Sequence, residues 1–190
     1  MPELLDFAEL GEAIGNATAV LRSNAASAGL DAPVPTRPGW TMRDLVLDQG
    51  VVHRQTSAEL QGNDVPPLDE LVGQATFTTD LLEWLDDGMV DLLNALAAAP
   101  EDRQAWFRTG SASAHQHTTA RSLCHDATAH AVLAMTTRLG RAPSVAEVWF
   151  SPALARDGLD WLGAATDDAV DDPRAAYLAR LNIGAQGSAD

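Results

Sequence analysis

Thr119-Ala120-Arg121-Ser122-Leu123-Cys124-His125-Asp126-Ala127-Thr128-Ala129-His130-Ala131-Val132-Leu133 is the stretch that decides the fold class. Its small and apolar residues recur at steps of three and four, the period of a helix, and Gly140 marks the stop. Thr119, Leu123, Asp126, Ala127, His130, Leu133 and Thr137 fall on one inward face. Asp126 and His130 are four apart, one turn above each other, within that apolar stripe. Burying the two unpaired is expensive, so they require each other or a cation. By spacing alone they are the ordinary ion pair of a solvated helix. A third donor from another element would make them a metal site.

Working outward, Leu4 to about Ala28 carries Leu4, Phe7, Leu10, Ile14, Ala17 and Leu21 on one face, and Gly29 stops it. Pro33, Pro35 and Pro38 impose an extended entry to the next segment. There Thr41 caps a second helix, with Asp44 near the capping-box position and Trp40 placed to pack on Leu45. This helix runs to about Leu60, and His53 borders its buried side, where a lone histidine is more often a hydrogen-bonded core residue than a ligand. A third helix begins between Leu68 and Thr79 and sets Phe77, Leu81, Trp84, Leu85, Met89, Leu92 and Leu96 on one face. Pro100 and Glu101-Asp102-Arg103 turn the chain, and Trp106 and Phe107 are expected to plug one end of the bundle.

His115-Gln116-His117 alternates like a strand or loop; two such imidazoles suit a metal, although an exposed loop is the commoner meaning. Ser144-Val145-Ala146-Glu147 and Ser151-Pro152 both read as helix starts, leading to a short helix that ends near Trp161 to Gly163. After the acidic run Asp167, Asp168, Asp171 and Asp172, a further turn or two of helix is expected over Pro173 to Arg180, with Gly184 to Asp190 disordered. Four long amphipathic segments with almost no strand-like alternation predict an all-α four-helix bundle with a short extra C-terminal helix. Residues 1–165 form the bundle in this reading, and residues 166–190 an acidic extension.

The composition narrows the partners. Twelve basic against 27 acidic residues leave a net charge of -15, a field that repels nucleic acid and anionic membranes. No basic and apolar leader opens the 190-residue chain and no eighteen apolar residues run together, so the expected location is the cytoplasm. Cys124, the single cysteine, rules out an internal disulfide framework and a cysteine-rich zinc module, and reads as a small buried hydrophobe. Neither a Gly-rich phosphate loop nor a Gly-x-Ser-x-Gly elbow is present.

Several of these stretches together resemble the metal-binding N-terminal domain of mycothiol-dependent maleylpyruvate isomerases, a branch of the DinB-like four-helix bundles. The resemblance is carried by Val34-Pro35-Thr36-Arg37-Pro38-Gly39-Trp40-Thr41-Met42-Arg43-Asp44-Leu45-Val46, by Gly50-Val51-Val52-His53-Arg54, by Arg121, His125-Asp126 and His130, and by Pro152-Ala153-Leu154-Ala155 with Asp157-Gly158-Leu159-Asp160. It implies a divalent metal, usually zinc, held by His53, Asp126 and His130, with an open position for the thiolate of mycothiol, a thiol of actinobacteria. It further implies attack of that thiolate on a small-molecule electrophile, either kept in the product as thiol transfer or eliminated after cis-trans isomerisation. His125 is expected beside the site as a catalytic proton shuttle or as a group supporting a ligand, with a solvent-side or core-satisfied histidine as the plain alternative. Such bundles often form homodimers, and no stripe here singles out an interface.

Four departures bear on the chemistry. Asp126 stands where the family has the longer Glu; Ala131 and Leu133 stand where it commonly has Arg and Asp; and Asp48 stands where a His usually lies. The sterol-carrier-like second domain of the full-length isomerases is expected to be missing. These departures argue against maleylpyruvate itself as substrate and keep open a third reading, an accessory protein that has retained the bundle.

Overall fold

A computed structural model describes residues 5–78, 80–99, 104–106, 113–164 and 171–184, with backbone alone for 104–106, 113–117 and 182–184. The chain folds as α1 (Phe7–Ala28), α2 (Met42–Gln61), α3 (Leu68–Phe77), α4 (Leu81–Ala98), β1 (Gln104–Trp106), β2 (Ser113–His115), α5 (Gln116–Leu139), α6 (Pro152–Trp161) and α7 (Pro173–Gly184). It is an all-α bundle to which one three-residue antiparallel hairpin is added, Ala105 opposite Ala114. α1 packs mainly on α5 and α2 mainly on α4, and contacts of α1 with α4 and of α2 with α5 close the four-helix core.

Local chemistry sets the ends of these helices. Asp6 and Glu9 form a reciprocal capping box on α1, as Thr41 and Asp44 do on α2, and Ser151 Oγ accepts from the Leu154 amide at the start of α6. Gly62, at φ +75°, takes the left-handed conformation that closes α2. α2 and α4 approach closely because Gly50 faces the Trp84 ring and Gly88 faces Arg54, with no space at either for a side chain. Arg54 stacks 3.7 Å above Trp84 and donates to the Trp84 carbonyl at 2.7 Å, fixing the register of the two helices beside His53.

Two expectations need correction. The long third helix is two helices: Asp80 caps α4 through the Leu82 and Glu83 amides, and Thr78 is extended. The break turns Phe77 away from the core and leaves it 88 % exposed. Ser144 to Glu147 makes a turn and not a helix, because the Glu147 carboxylate is taken up by Arg141 as well as by the Ser144 amide and hydroxyl. The strand at Ser113–His115 follows the alternation around His115, and α5 begins at once after it. Phe107, the polar run 101–103, Asp167, Asp168 and residues 185–190 lie outside the described residues, as does the Trp106 side chain. Among the described residues no helix is long and apolar enough to cross a membrane.

α5 is the axis of the molecule. It is buried on more than the one face its periodicity suggests: Leu123, Ala127 and His130 are buried, and so are Cys124, His125 and Thr128. One side meets α1 and α2 and the other carries α6 and α7, so neighbouring residues of one helix serve two different polar sites.

Candidate functional site

The first site lies in the seam between α2 and α5. His130 projects from α5 with its side chain almost wholly buried, and its Nδ1 donates to the Asp126 carbonyl at 2.9 Å. A carbonyl only accepts, so Nδ1 carries a proton, and Nε2 is the nitrogen aimed across the seam. It meets Asp48 Oδ2 of α2 at 2.9 Å. The Asp126 carboxylate is on the other edge of the ring, its Oδ2 3.8 Å from Nδ1. Burial alone would lower the pKa of His130, but the Asp126 and Asp48 carboxylates outweigh it and raise the pKa. Both ring nitrogens face groups that accept, the Asp126 carbonyl and the Asp48 carboxylate, so the ring is drawn as an imidazolium between two carboxylates. Asp48 and Asp126 are 22 % and 30 % exposed at the side chain, which places solvent on the carboxylate side of the seam.

His53 has the opposite electrostatics. It is completely buried on α2, and burial, then the charges of Arg54 and His130, lower its pKa to about 3 against a weak opposing contact with the Leu85 backbone. It is a neutral imidazole at any ordinary pH. The Gln49 amide nitrogen lies 3.0 Å from His53 Nε2, while Gln49 Oε1 and His53 Nδ1 have no hydrogen-bond partner of normal geometry. Two buried polar atoms left in this state cost about 1–3 kcal/mol each, and such groups mark places where a protein binds something or works chemically.

Asp48, His53, Asp126 and His130 thus bring two imidazoles and two carboxylates to one seam, with His130 close enough to His53 for its charge to be felt there. Among the described residues, no three His, Cys, Asp or Glu side chains converge as a ready-made metal centre. The donor types nevertheless suit a divalent cation: a neutral buried imidazole whose Nε2 lone pair accepts from the Gln49 amide, a second imidazole whose proton is fixed on Nδ1, and carboxylates at the solvent edge. A cation held there would take the place of the His130 Nε2 proton and of the Gln49 amide at His53.

His125 faces the other way. Its Nε2 lies 2.7 Å from Asp157 Oδ2 and its Nδ1 2.8 Å from the Tyr177 hydroxyl, and it stacks on Trp161 at 6.2 Å. Arg121 completes this second site, its Nε 2.9 Å from Asp157 Oδ2 and its Nη2 donating to Asp160 at 2.7 Å. Desolvation would raise the pKa of Asp157, yet the bonds from His125 and Arg121 hold it below the ordinary carboxylate value. Both His125 nitrogens are therefore spent on α6 and α7, and any proton it exchanges goes to Asp157 or Tyr177 and not to the seam. Cys124, buried beside it, has its thiol pushed up to about 12 by desolvation and by Asp157, which makes it inert as a nucleophile.

Sequence reasoning missed Asp48 as the residue facing His130, together with Asp157 and Tyr177; each pairs across a long sequence separation, and only the departure noted at Asp48 hinted at it. The family model described as mycothiol maleylpyruvate isomerase N-terminal domain matches residues 12–134, well over half of the chain. No curated protein and no solved structure matches it.

Proposed function

The chain belongs to the mycothiol maleylpyruvate isomerase N-terminal domain family, and from that premise we propose that it is a metal-dependent, mycothiol-using enzyme that joins the thiol to a small-molecule electrophile. The observation that carries this reading is the pair of buried imidazoles brought from two helices to one seam, one of them neutral and without a carboxylate partner of its own. A pair of this kind serves no packing purpose that Leu or Gln would not serve at lower cost.

His53 supplies a lone pair that burial keeps unprotonated. His130 is oriented by its Nδ1 bond to the Asp126 carbonyl, the usual way in which a ligating histidine is fixed in one tautomer. His53, His130 and a carboxylate, Asp126 by family correspondence, would hold the ion, with zinc the expected metal. When bound, a divalent cation supplies the charge that favours ionised sulfur, whose free thiol otherwise titrates near about 8.5. The partly exposed Asp48 and Asp126 line the approach, so an anionic acceptor is disfavoured there and a neutral or cationic electrophile is preferred. His125, with its two nitrogens against Asp157 and Tyr177, supports α5 from the side of α6 and α7.

A second reading, an accessory protein without chemistry, is favoured by one observation: Asp48 already satisfies His130 Nε2. The two readings separate when zinc-loaded protein is incubated with mycothiol and a panel of neutral electrophiles, followed by mass spectrometry. The expected result is product retaining the sulfur. Recovery of unchanged thiol with a rearranged acceptor would instead indicate isomerisation, and metalated protein that consumes no thiol and converts no acceptor would overturn the enzyme reading.

A further inference from the structure

We infer that the groove between α1 and residues 149–154 is a binding site for an organic monocation, an ammonium group carried on an apolar body. No residue of the α2–α5 seam takes part, so the inference is independent of the metal reading. Two clefts of about 210 and 430 Å³ adjoin in this groove and share Asn16 and Trp149. Between them they reach the size of small-molecule sites, about 300–1,000 Å³. The groove exists because α1 turns Glu9, Glu12, Asn16 and Ala19, at helical steps of three and four, toward the connector that leads into α6. Those side chains do not fill the space beside the indole.

Trp149 is half-buried and held in place: Phe150 meets it edge to face at 5.3 Å, and Phe150 in turn meets Tyr177 at 5.6 Å. An indole is the aromatic ring that attracts a cation best. Glu9 and Glu12 line the first cleft from the exposed side of α1. Glu9 Oε2 accepts from the Asp6 amide at 2.8 Å, and the Glu12 carboxylate has no partner among the described residues. Among the described residues no Lys, Arg or His lines either cleft, and the net charge of -15 enriches cations at such a surface. The second cleft is lined by Ala19, Val20 and neutral polar groups, and at its end Arg138 holds the Asn24 side-chain oxygen. One end therefore favours positive charge and the other an apolar chain, while a second positive charge at the far end would meet Arg138. From Glu12 to Val20 is about 12 Å of helix, enough for an ammonium and a chain of medium length. A second copy of this acidic chain would bring like charge to the groove.

Hexylammonium, hexanol and hexanoate share a length and differ in the head group, and hexanediamine adds a second charge. Each is titrated into the isotope-labelled full chain while the Trp149 indole N–H signal, assigned with Trp149→Phe, is followed by NMR. Hexylammonium is expected to shift that signal and to bind at least about fivefold tighter than hexanol, with hexanoate inert and the diamine no tighter than hexylammonium. Glu12→Gln leaves the α1 capping box intact and should weaken hexylammonium about threefold while leaving hexanol unchanged. Equal binding of hexylammonium and hexanol, an ammonium affinity insensitive to Glu12→Gln, or a Trp149 signal that no probe moves overturns the inference. A Trp149 signal that shifts with protein concentration, together with a dimer in sedimentation, would assign the groove to a second copy and overturn it as well.

Discussion

Replacing Tyr177 by alanine should lower the free energy of unfolding by about 3–5 kcal/mol, the range for deleting a fully buried aromatic side chain. Tyr177 is 0 % exposed although it stands on α7, within the segment that composition alone suggests is an acidic appendage. Its ring meets His125 and Phe150 edge to face at 5.7 and 5.6 Å, and lies over Gly158, where a Cβ would overlap it. Its hydroxyl is 2.8 Å from His125 Nδ1. Alanine removes the packing and leaves a buried ring nitrogen without its partner, and both losses fall on the contact that fastens α7 to α5. Tyr177→Phe keeps the ring and should cost only about 1–2 kcal/mol. Urea unfolding of the two variants checks the ranking; equal losses would mean that the hydroxyl, and not the ring, carries the contact.

The second large effect is acid sensitivity from His53. Its pKa falls from 6.5 in an unfolded chain to about 3 in the folded one. Below pH 6.5 the unfolded chain takes up a proton that the folded chain refuses, so stability is lost as pH falls through the window from about 6.5 to about 3. The slope approaches about 1.4 kcal/mol per pH unit, or about 2 kcal/mol between pH 6 and pH 4.5. His130, with its pKa raised by Asp126 and Asp48, has the opposite sign: it stabilises below its unfolded pKa, and that contribution is lost as pH rises through its folded pKa. In denaturant titrations of metal-free protein, His53→Leu should flatten the acid limb and His130→Gln should not. An acid limb unchanged in His53→Leu would mean that His53 is not the buried neutral group described.

Much of the bundle is legible in the sequence because its signals are local. Thr41 with Asp44 and Ser151 with Pro152 mark helix starts that need only their own neighbours, and the steps of three and four through Leu10, Ile14, Ala17 and Leu21 name a face before any partner is known. Local signals also mislead where a competing group is nearby. The third helix, begun between Leu68 and Thr79, reads as one element to Leu96, since an apolar periodicity carries no record of the single capped turn at Asp80. Glu147 resembles a capping residue until Arg141 is seen to hold it.

The site is less legible because its partners are distant in the chain. Asp126 and His130 attract attention by spacing, but the group that meets His130 Nε2 is Asp48, and nothing in either segment encodes the other. His125 is not among the residues of the single inward stripe that periodicity draws on α5. The helix is buried on two sides, and the second side is defined by Asp157 and Tyr177, which only the folded chain brings together.

The central claim is that His53 and His130 share a divalent cation in the α2–α5 seam. Anomalous diffraction from crystals of the full chain grown with zinc tests it most directly. The expected result is one strong peak within about 2.0–2.2 Å of a nitrogen of each imidazole. No peak in the seam, with His130 still closed on Asp48 in the presence of zinc, would contradict it.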